Sequence, residues 1–390
     1  MNKKITHITV ACYAHPELYP PILSAISQLA QKTDRIDVFT RKMLISKWSY
    51  PDNVYVSCIN KKMYVGFGIE QISFFKKLIH FVTFVRQIKR SVVENKSDLL
   101  IVHDVIPLFA AFLIRSCIKR KQLKLWYHNH DVVDVNKSGK YSLMGIAAKF
   151  ESKAFDFINI FTLPSKERLK YFPVTKLTYP PIILSNYPLK FFYERSEIEK
   201  NERDEYTIKL VFQGSIGAGH GLEELIAFLK IKINNKKLEL HVVGKVRENY
   251  LAKLEELVIK HSVKEQFYYH GMKSFAELPV FLSQFDVGLS IHRPYNVTYA
   301  TGGTASNKIY EYAACGLPVI LFDSPHYRAY LDDYKWTYFT DLSENSLKNE
   351  LTRIDNSYAL SSEAALVDFE QIFNFEKVFN RAISPILKDL

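Results

Sequence analysis

The chain is poor in groups that hold metals or build disulfides. Its four cysteines, Cys12, Cys58, Cys117 and Cys315, are scattered over 390 residues and form no closely spaced pair. That excludes a disulfide framework and a paired-cysteine zinc site, and it fits a reducing compartment. No Asp-x-Asp occurs anywhere, so a diphosphate held through a metal ion is not expected. No stretch of about 18 residues is apolar throughout, the length that a membrane-crossing helix needs. The best candidate, Leu99 to Ile118, is interrupted by His103, Asp104, Pro107 and Arg115. After Lys3 and Lys4, the apolar run Ile5 to Cys12 is short and holds His7, so it reads as a first buried strand and not as a secretion signal. Internal repeats and low-complexity segments are also lacking. The expectation is a cytoplasmic protein that neither carries a signal nor spans a membrane.

What is there is a large, aromatic-rich globular chain with a lopsided charge. The net charge is +11, but residues 1–190 hold 29 Lys/Arg against 13 Asp/Glu, and residues 191–390 hold 23 against 28. The basic half suggests an anionic partner, and the absence of a nucleic-acid motif with interleaved aromatics points to a membrane surface over nucleic acid. Within that half, Phe74 to Val93 mixes Phe74, Phe75, Leu78, Phe81, Val82 and Val85 with Lys76, Lys77, Arg86, Lys89 and Arg90. Its apolar arc is wide enough that part of it must be core.

Strand and helix signals alternate through both halves. In the first, strands are expected at Ile5–Ala11, Ile36–Thr40, Leu99–His103, Leu123–His128 and Ile158–Leu163. Helices are expected at Pro21–Lys32, Ile72–Val93, Ile106–Lys121, Lys140–Phe155 and Ser165–Tyr171. The polar run Glu194 to Glu205 reads as a boundary. Beyond it the rhythm restarts, with strands at Ile208–Gln213, Leu238–Val243, Phe267–His270, Val287–Ile291, Val319–Phe322 and Trp336–Phe339. Alternation of this kind builds parallel sheets covered by helices on both faces, with ligands outside the carboxyl ends of the strands.

Two segments carry the chemistry. Gly302 to Ile320 reads as loop, short helix, turn and buried strand: Ser306 or Asn307 can cap the helix, Gly316 ends it, and Pro318 forbids its continuation. Gly303, Thr304, Ser306, Asn307 and Lys308 then lie at a helix N-terminus, which attracts anions, and Lys308 adds a positive charge there. Glu311 lies about one turn on, near the same face, where its carboxylate could accept from two neighbouring hydroxyls, as on a ribose. The second segment, Phe212 to Leu225, is a strand, a glycine-rich turn and a helix start, and Gly214, Ser215 and Gly217 let backbone approach a phosphate closely. His220 in that turn can be neutral or charged near physiological pH. Arg293 and Lys245, each just past a strand end, are further candidates for a diphosphate.

Asn307-Lys308-Ile309-Tyr310-Glu311-Tyr312, followed by Ala314-Cys315-Gly316-Leu317-Pro318-Val319, resembles the donor-site segment of retaining glycosyltransferases of the GT-B fold, the "family four" or group 1 glycosyl transferases. The turn Gln213-Gly214 … Gly219-His220-Gly221-Leu222-Glu223 is similar to a second segment of that family, with His220 where Arg or Lys is usual. The resemblance implies two Rossmann-like, doubly wound α/β domains facing a central cleft. It implies an acceptor domain at 1–190, a nucleotide-sugar domain at 207–368, and a last helix at 369–390 that crosses back to the first domain. It implies that Glu311 holds the donor ribose and that Lys308 and the glycine-rich turn hold the diphosphate. His130, in Trp126-Tyr127-His128-Asn129-His130-Asp131, matches the family's His near the donor sugar and acceptor. His103-Asp104 is a weaker candidate of the same kind, and Glu151 matches a family helix but reads as structural. Where the family has a further Glu facing the donor sugar, this chain has Gly303. Retention is attributed in this family to attack on the face that the leaving group departs from, which needs no carboxylate nucleophile.

The resulting expectation is a metal-independent, cofactor-free glycosyltransferase acting on a nucleotide-diphosphate sugar and a saccharide or lipid-linked acceptor. The setting implied is bacterial surface-polysaccharide assembly, such as lipopolysaccharide or capsule, peripheral on the inner face of the plasma membrane. Two other classes share parts of this pattern: a GT-B sugar-nucleotide epimerase, and a non-catalytic sugar or nucleotide binder.

Overall fold

A computed structural model describes residues 5–63, 72–121, 123–133, 139, 141–195 and 203–389. The chain divides into two compact units, Met1–Asn186 with Glu376–Leu390, and Tyr187–Phe375. Most of the polar run Glu194–Glu205, together with Lys3, Lys4 and Lys140, lies outside the described residues.

The first unit is built on seven strands: β1 (His7–Cys12), β2 (Arg35–Thr40), β3 (Val54–Cys58), β4 (Leu99–His103), β5 (Lys124–His128), β6 (Ile160–Leu163) and β7 (Ile182–Ile183). Their order is β3-β2-β1-β4-β5-β6-β7 and every pairing is parallel. The central strands are buried on both faces, which is why they read in the sequence as unbroken apolar runs. In register, Cys12 stands beside His103, His103 beside His128, and His128 beside Thr162, so polar residues line up at the carboxyl ends of the middle strands.

The second unit holds β8 (Thr207–Gln213), β9 (Lys237–Val243), β10 (Phe267–Tyr269), β11 (Val287–Ser290), β12 (Val319–Phe322) and β13 (Thr337–Thr340), ordered β10-β9-β8-β11-β12-β13 and parallel throughout. The winding direction changes between β1 and β4 in the first sheet and between β8 and β11 in the second. Open α/β sheets hold their ligands at such points, beyond the strand ends. Each unit is thus a Rossmann-like α/β fold.

Several elements depart from the sequence reading. The segment expected as one helix, Ile106–Lys121, is two, Val105–Leu113 and Arg115–Lys121; Ile114 leaves helical geometry while its N–H reaches back to the preceding turn. Ser165–Tyr171 forms a 3₁₀ helix at Lys166–Tyr171. The helix expected from Lys140 begins at Leu143, where Ser142 accepts from the Gly145 N–H. Strands β3 and β7 were not expected. The first lies at a sheet edge with half of its side chains outward, and the second has two residues, so neither shows a buried apolar run. The tail forms two helices, Phe375–Ala382 and Ser384–Asp389. Among the described residues no helix is long and apolar enough to cross a membrane.

Candidate active site

In the second unit the site forms where β8 and β11 end. The helix Asn307–Ala314 is pinned to the end of β8 by two bonds from one residue. The Gln213 N–H donates to the Tyr312 hydroxyl (2.8 Å), and the Gln213 side-chain amide donates to Glu311 Oε2 (2.7 Å). Past Gln213 the chain turns at Gly214, with φ +120°, against Gly244 at the end of β9, with φ +142°. A Cβ on Gly244 would lie 1.8 Å from the Gly214 carbonyl oxygen, so only glycine permits this approach. Gly316, with φ +68°, ends the helix as the sequence implies, and the Leu317 N–H returns to the Tyr312 carbonyl. The expected side-chain cap is not made: Ser306 occupies the cap position without a side-chain bond, and Asn307 Oδ1 is buried with no partner. Backbone N–H groups of the first turn are therefore left without that acceptor.

Lys308 and Glu311 come together here. Glu311 is almost wholly buried; its Oε2 accepts from Gln213, and its Oε1 has no partner. Burial pushes its carboxyl up to about 7, opposed by the Gln213 bond and by Lys308. Part of Lys308 stays open to solvent, but its Nζ lies 3.1 Å from His292 Nε2, 4.8 Å from the Phe212 ring centre, and against the Gly214 backbone. Burial pulls this ammonium down to about 7, with Glu311 opposing. The expected full charge on Lys308 is thus a conditional one.

His220 is buried as well. Its Nδ1 accepts from the Gly217 N–H (3.2 Å), so its Nε2 carries the proton and faces the hydroxyls of Tyr295 and Tyr299, each at 3.2 Å. Burial, then Lys308, lowers its pKa to about 4. In the ligand-free protein His220 is thus neutral, and it braces the glycine-rich turn. Arg293 is half exposed, with its guanidinium on Glu224 (2.6 Å), and is not joined to Lys308 by any described contact. Lys245 enters through its carbonyl, which accepts from the Ile216 N–H (2.8 Å); Ser215 is exposed on the same turn. Thr304 is buried, and the Gly303 N–H donates to His326 Nε2 (2.9 Å) while its carbonyl accepts from Tyr310. A Cβ on Gly303 would meet His326 Nε2 at 2.9 Å and Tyr330 at 3.0 Å, so those rings fill the direction a larger side chain would take.

Sequence reasoning passed over His292 and Gln213. His292 lies in the quoted string Ile291-His292-Arg293, but the charge on Arg293 drew attention from it. Side chains alternate at a strand end, so with Ile291 in the core, its neighbour faces the other way.

In the first unit His130 joins a cluster at the carboxyl ends of β4 and β5. Its Nε2 lies 3.1 Å from His103 Nδ1, its ring centre lies 4.1 Å from that of His128, and its Nδ1 is buried without a partner. Thr162 Oγ1 accepts from the Trp126 indole (2.7 Å) and meets His128 Nδ1 at 2.6 Å. Burial holds all three imidazoles far below their ordinary pKa, His103 at about 3, so the cluster is neutral. Asp104 sits at φ +66°, uncommon for a residue with a side chain, and its Oδ1 accepts from the His130 N–H (2.7 Å) and the Asp131 N–H (3.4 Å). Burial, then Asp131, raises its carboxyl to about 7. Buried Arg168 donates to the His130 carbonyl. Asp104 and Arg168 together fix the backbone that presents His130. Glu151 accepts from Tyr127, tying the helix Leu143–Ala154 to β5, which is a structural role.

Residues 194–361 match the family model described as glycosyl transferases group 1. No curated protein matches the sequence. Among solved structures, sucrose-phosphate synthase from Thermosynechococcus elongatus superposes with a TM-score of 0.67 at 14% identity, covering 96% of this chain and 97% of that one. Anabaena Alr3699/HepE in complex with UDP and glucose gives 0.66 at 13%, covering 99% and 100%. WaaG, a glycosyltransferase involved in lipopolysaccharide biosynthesis, gives 0.61 at 14%, covering 97% and 100%. At such identities the structures establish the fold over nearly the whole chain, and the family model speaks for the segment that holds the glycine-rich turn and the Lys308–Glu311 helix. The chain has the GT-B fold, and its segment 194–361 matches the family model of the group 1 glycosyl transferases.

Proposed function

We propose that the protein transfers a sugar from a nucleoside-diphosphate donor to a saccharide or lipid-linked acceptor, with retention and without a metal ion. The observation that carries the donor reading is Glu311, a buried carboxylate whose Oε1 has no partner, one turn from Lys308 and beside the glycine-rich turn. A buried acceptor left unpaired is costly unless a ligand donates to it. Two vicinal hydroxyls supply such donors, and a diphosphate reaching Lys308 Nζ and the turn supplies the matching anion. A uridine nucleotide is the first to test, since the Anabaena neighbour was crystallised with UDP and glucose. In the first unit the Nδ1 of neutral His130 is left without a partner, which suits the hydrogen-bonding role that the family resemblance gives this histidine. No carboxylate nucleophile is required if the acceptor attacks on the face that the diphosphate leaves, with donors at the turn stabilising the leaving charge. The named role of WaaG makes surface-polysaccharide assembly a reasonable setting, and the basic first half suits work at an anionic membrane on the cytoplasmic side.

A thermal-shift screen of the intact protein against nucleoside diphosphates and their sugars tests the donor reading. A ligand at about 100 times its Kd adds nearly 3 kcal/mol. No shift with any of them would remove it. Incubation with donor alone separates transfer from epimerisation, because an epimerised nucleotide sugar without acceptor would favour the isomerase. Binding without turnover across varied acceptors would favour a non-catalytic binder.

A further inference from the structure

The helix Phe74–Glu94 carries two apolar stripes, and only one is core. Phe81, Phe84, Ile88 and Val92 are buried in the first unit's core. Phe74, Phe75, Leu78, Ile79 and Val82 are between 38% and 76% exposed. At 3.6 residues per turn the two stripes point about 105° apart. The exposed stripe occupies the first two to three turns, and the rings of Phe74 and Phe75 lean on each other edge to face. Farther along, the same face carries exposed Arg86, Lys89 and Arg90, and Lys76 flanks it. The helix Phe74–Glu94 holds five Lys/Arg and one acid, Glu94, which pairs with Arg90 (2.6 Å) at the far end from the apolar stripe. The neighbouring helix Arg115–Lys121 adds exposed Arg115, Lys119 and Arg120, without an acid.

An apolar patch of five large side chains in consecutive turns is more than scattered surface hydrophobicity. We propose that this face is a membrane wedge: Phe74, Phe75, Leu78, Ile79 and Val82 enter the headgroup–acyl boundary of an anionic membrane, while Arg86, Lys89 and Lys76 bind lipid phosphates. The charge decides the occupant. A second copy of the chain would bring the same net positive charge against this face, whereas anionic lipid complements it. The division of labour along one face, apolar first and basic after, suits a helix lying in the interface plane. The wedge rests on the membrane part of the function proposed above and deepens it, because basic residues alone predict reversible electrostatic docking and the wedge predicts insertion.

The experiment is co-sedimentation of the full chain with phosphatidylcholine vesicles, with and without phosphatidylglycerol, across salt. Near 0.5 M salt the screening length falls to about 4 Å, which silences docking by charge alone. Wild type is expected to bind anionic vesicles and to keep a salt-resistant fraction. The variant Phe74→Ser, Phe75→Ser, Ile79→Ser should lose that fraction and bind about tenfold more weakly or worse, since each residue loses its contact with the apolar boundary. Arg86→Gln with Lys89→Gln should weaken low-salt binding, by about fivefold per charge, and leave the salt-resistant part. Because these side chains are exposed, thermal melts should not change. Phe75→Trp supplies a direct probe, with indole emission shifting to the blue on vesicles and quenched by brominated acyl chains.

Binding that vanishes at high salt, with the serine variant like wild type and the indole emission of the Phe75→Trp variant unshifted, overturns the wedge and leaves the membrane reading standing. No binding at any salt overturns both, and leaves nucleotide binding to decide the transferase reading separately. A serine variant that changes the sedimentation coefficient of the protein alone and not its vesicle binding would assign the patch to self-association and overturn the wedge.

Discussion

The affinity of the protein for a nucleoside diphosphate should fall steeply as pH rises above 7, because of Lys308. Burial lowers its ammonium to about 7 in the free protein, with only Glu311 opposing. A diphosphate at Nζ brings negative charge that returns the group toward its ordinary value of 10.5. The complex therefore binds a proton that the free protein has given up. Below the lower pKa Lys308 is charged in both states and adds no pH dependence; above it, each pH unit costs about 1.4 kcal/mol until the pKa of the complex is reached. Between about pH 7 and about pH 9 the Kd for UDP should rise by up to about fiftyfold, somewhat less to the extent that solvent reaches Lys308. At about pH 8, close to one proton should be taken up per ligand. Isothermal titration calorimetry in buffers of different ionisation enthalpy reads both quantities. Lys308→Met should bind more weakly and lose the alkaline dependence. Glu311 works in the opposite direction. Its carboxyl, raised to about 7, must be ionised to accept strongly from hydroxyls, so affinity for a ribonucleotide should also decline as pH falls below 7. A Kd for UDP that is flat from about pH 7 to about pH 9, with no proton uptake, would refute this reading of Lys308.

Glu311→Gln keeps the size and loses the charge; the weakening of charge-assisted bonds to neutral ones, about 1.4 kcal/mol, should reduce donor affinity about tenfold, and an unchanged Kd by calorimetry would sink the ribose assignment. His130→Ala should lower kcat far more than it raises donor KM in steady-state assays, and an effect confined to the melting temperature would leave His130 structural. Turnover should survive EDTA; complete loss restored by manganese or magnesium would show a metal-held diphosphate. For Asp104, whose folded pKa is raised from 3.8 to about 7, the folded state holds the proton more tightly. Stability is favoured below the unfolded pKa and lost as pH rises through about 7, so Asp104→Asn should stabilise the protein more at about pH 8 than at about pH 5, by about 1–2 kcal/mol. Denaturant unfolding at the two pH values checks the sign, and an equal effect at both would contradict it.

The sequence alone determined the alternation of elements and most of the two sheets, because strands buried on both faces must be apolar along their length. It determined the helix end at Gly316 and the glycine-rich turn after β8, because each depends on a local backbone demand that few residues meet. It marked Lys308 and Glu311 as one turn apart, because helical spacing is fixed. The tertiary structure decided which charges exist. Whether Lys308 is an ammonium and whether His220 is an imidazolium depend on what surrounds them, and Phe212, His292 and the tyrosines at 295 and 299 come from distant parts of the chain. It decided that Arg293 engages Glu224, a choice that spacing leaves open. It also decided which arc of the helix Phe74–Glu94 is core, since a wide apolar arc in sequence does not say how far along its axis a helix meets the sheet. That is set by packing, and packing buries Phe81 and Phe84 while it leaves Phe74, Phe75, Leu78, Ile79 and Val82 facing solvent.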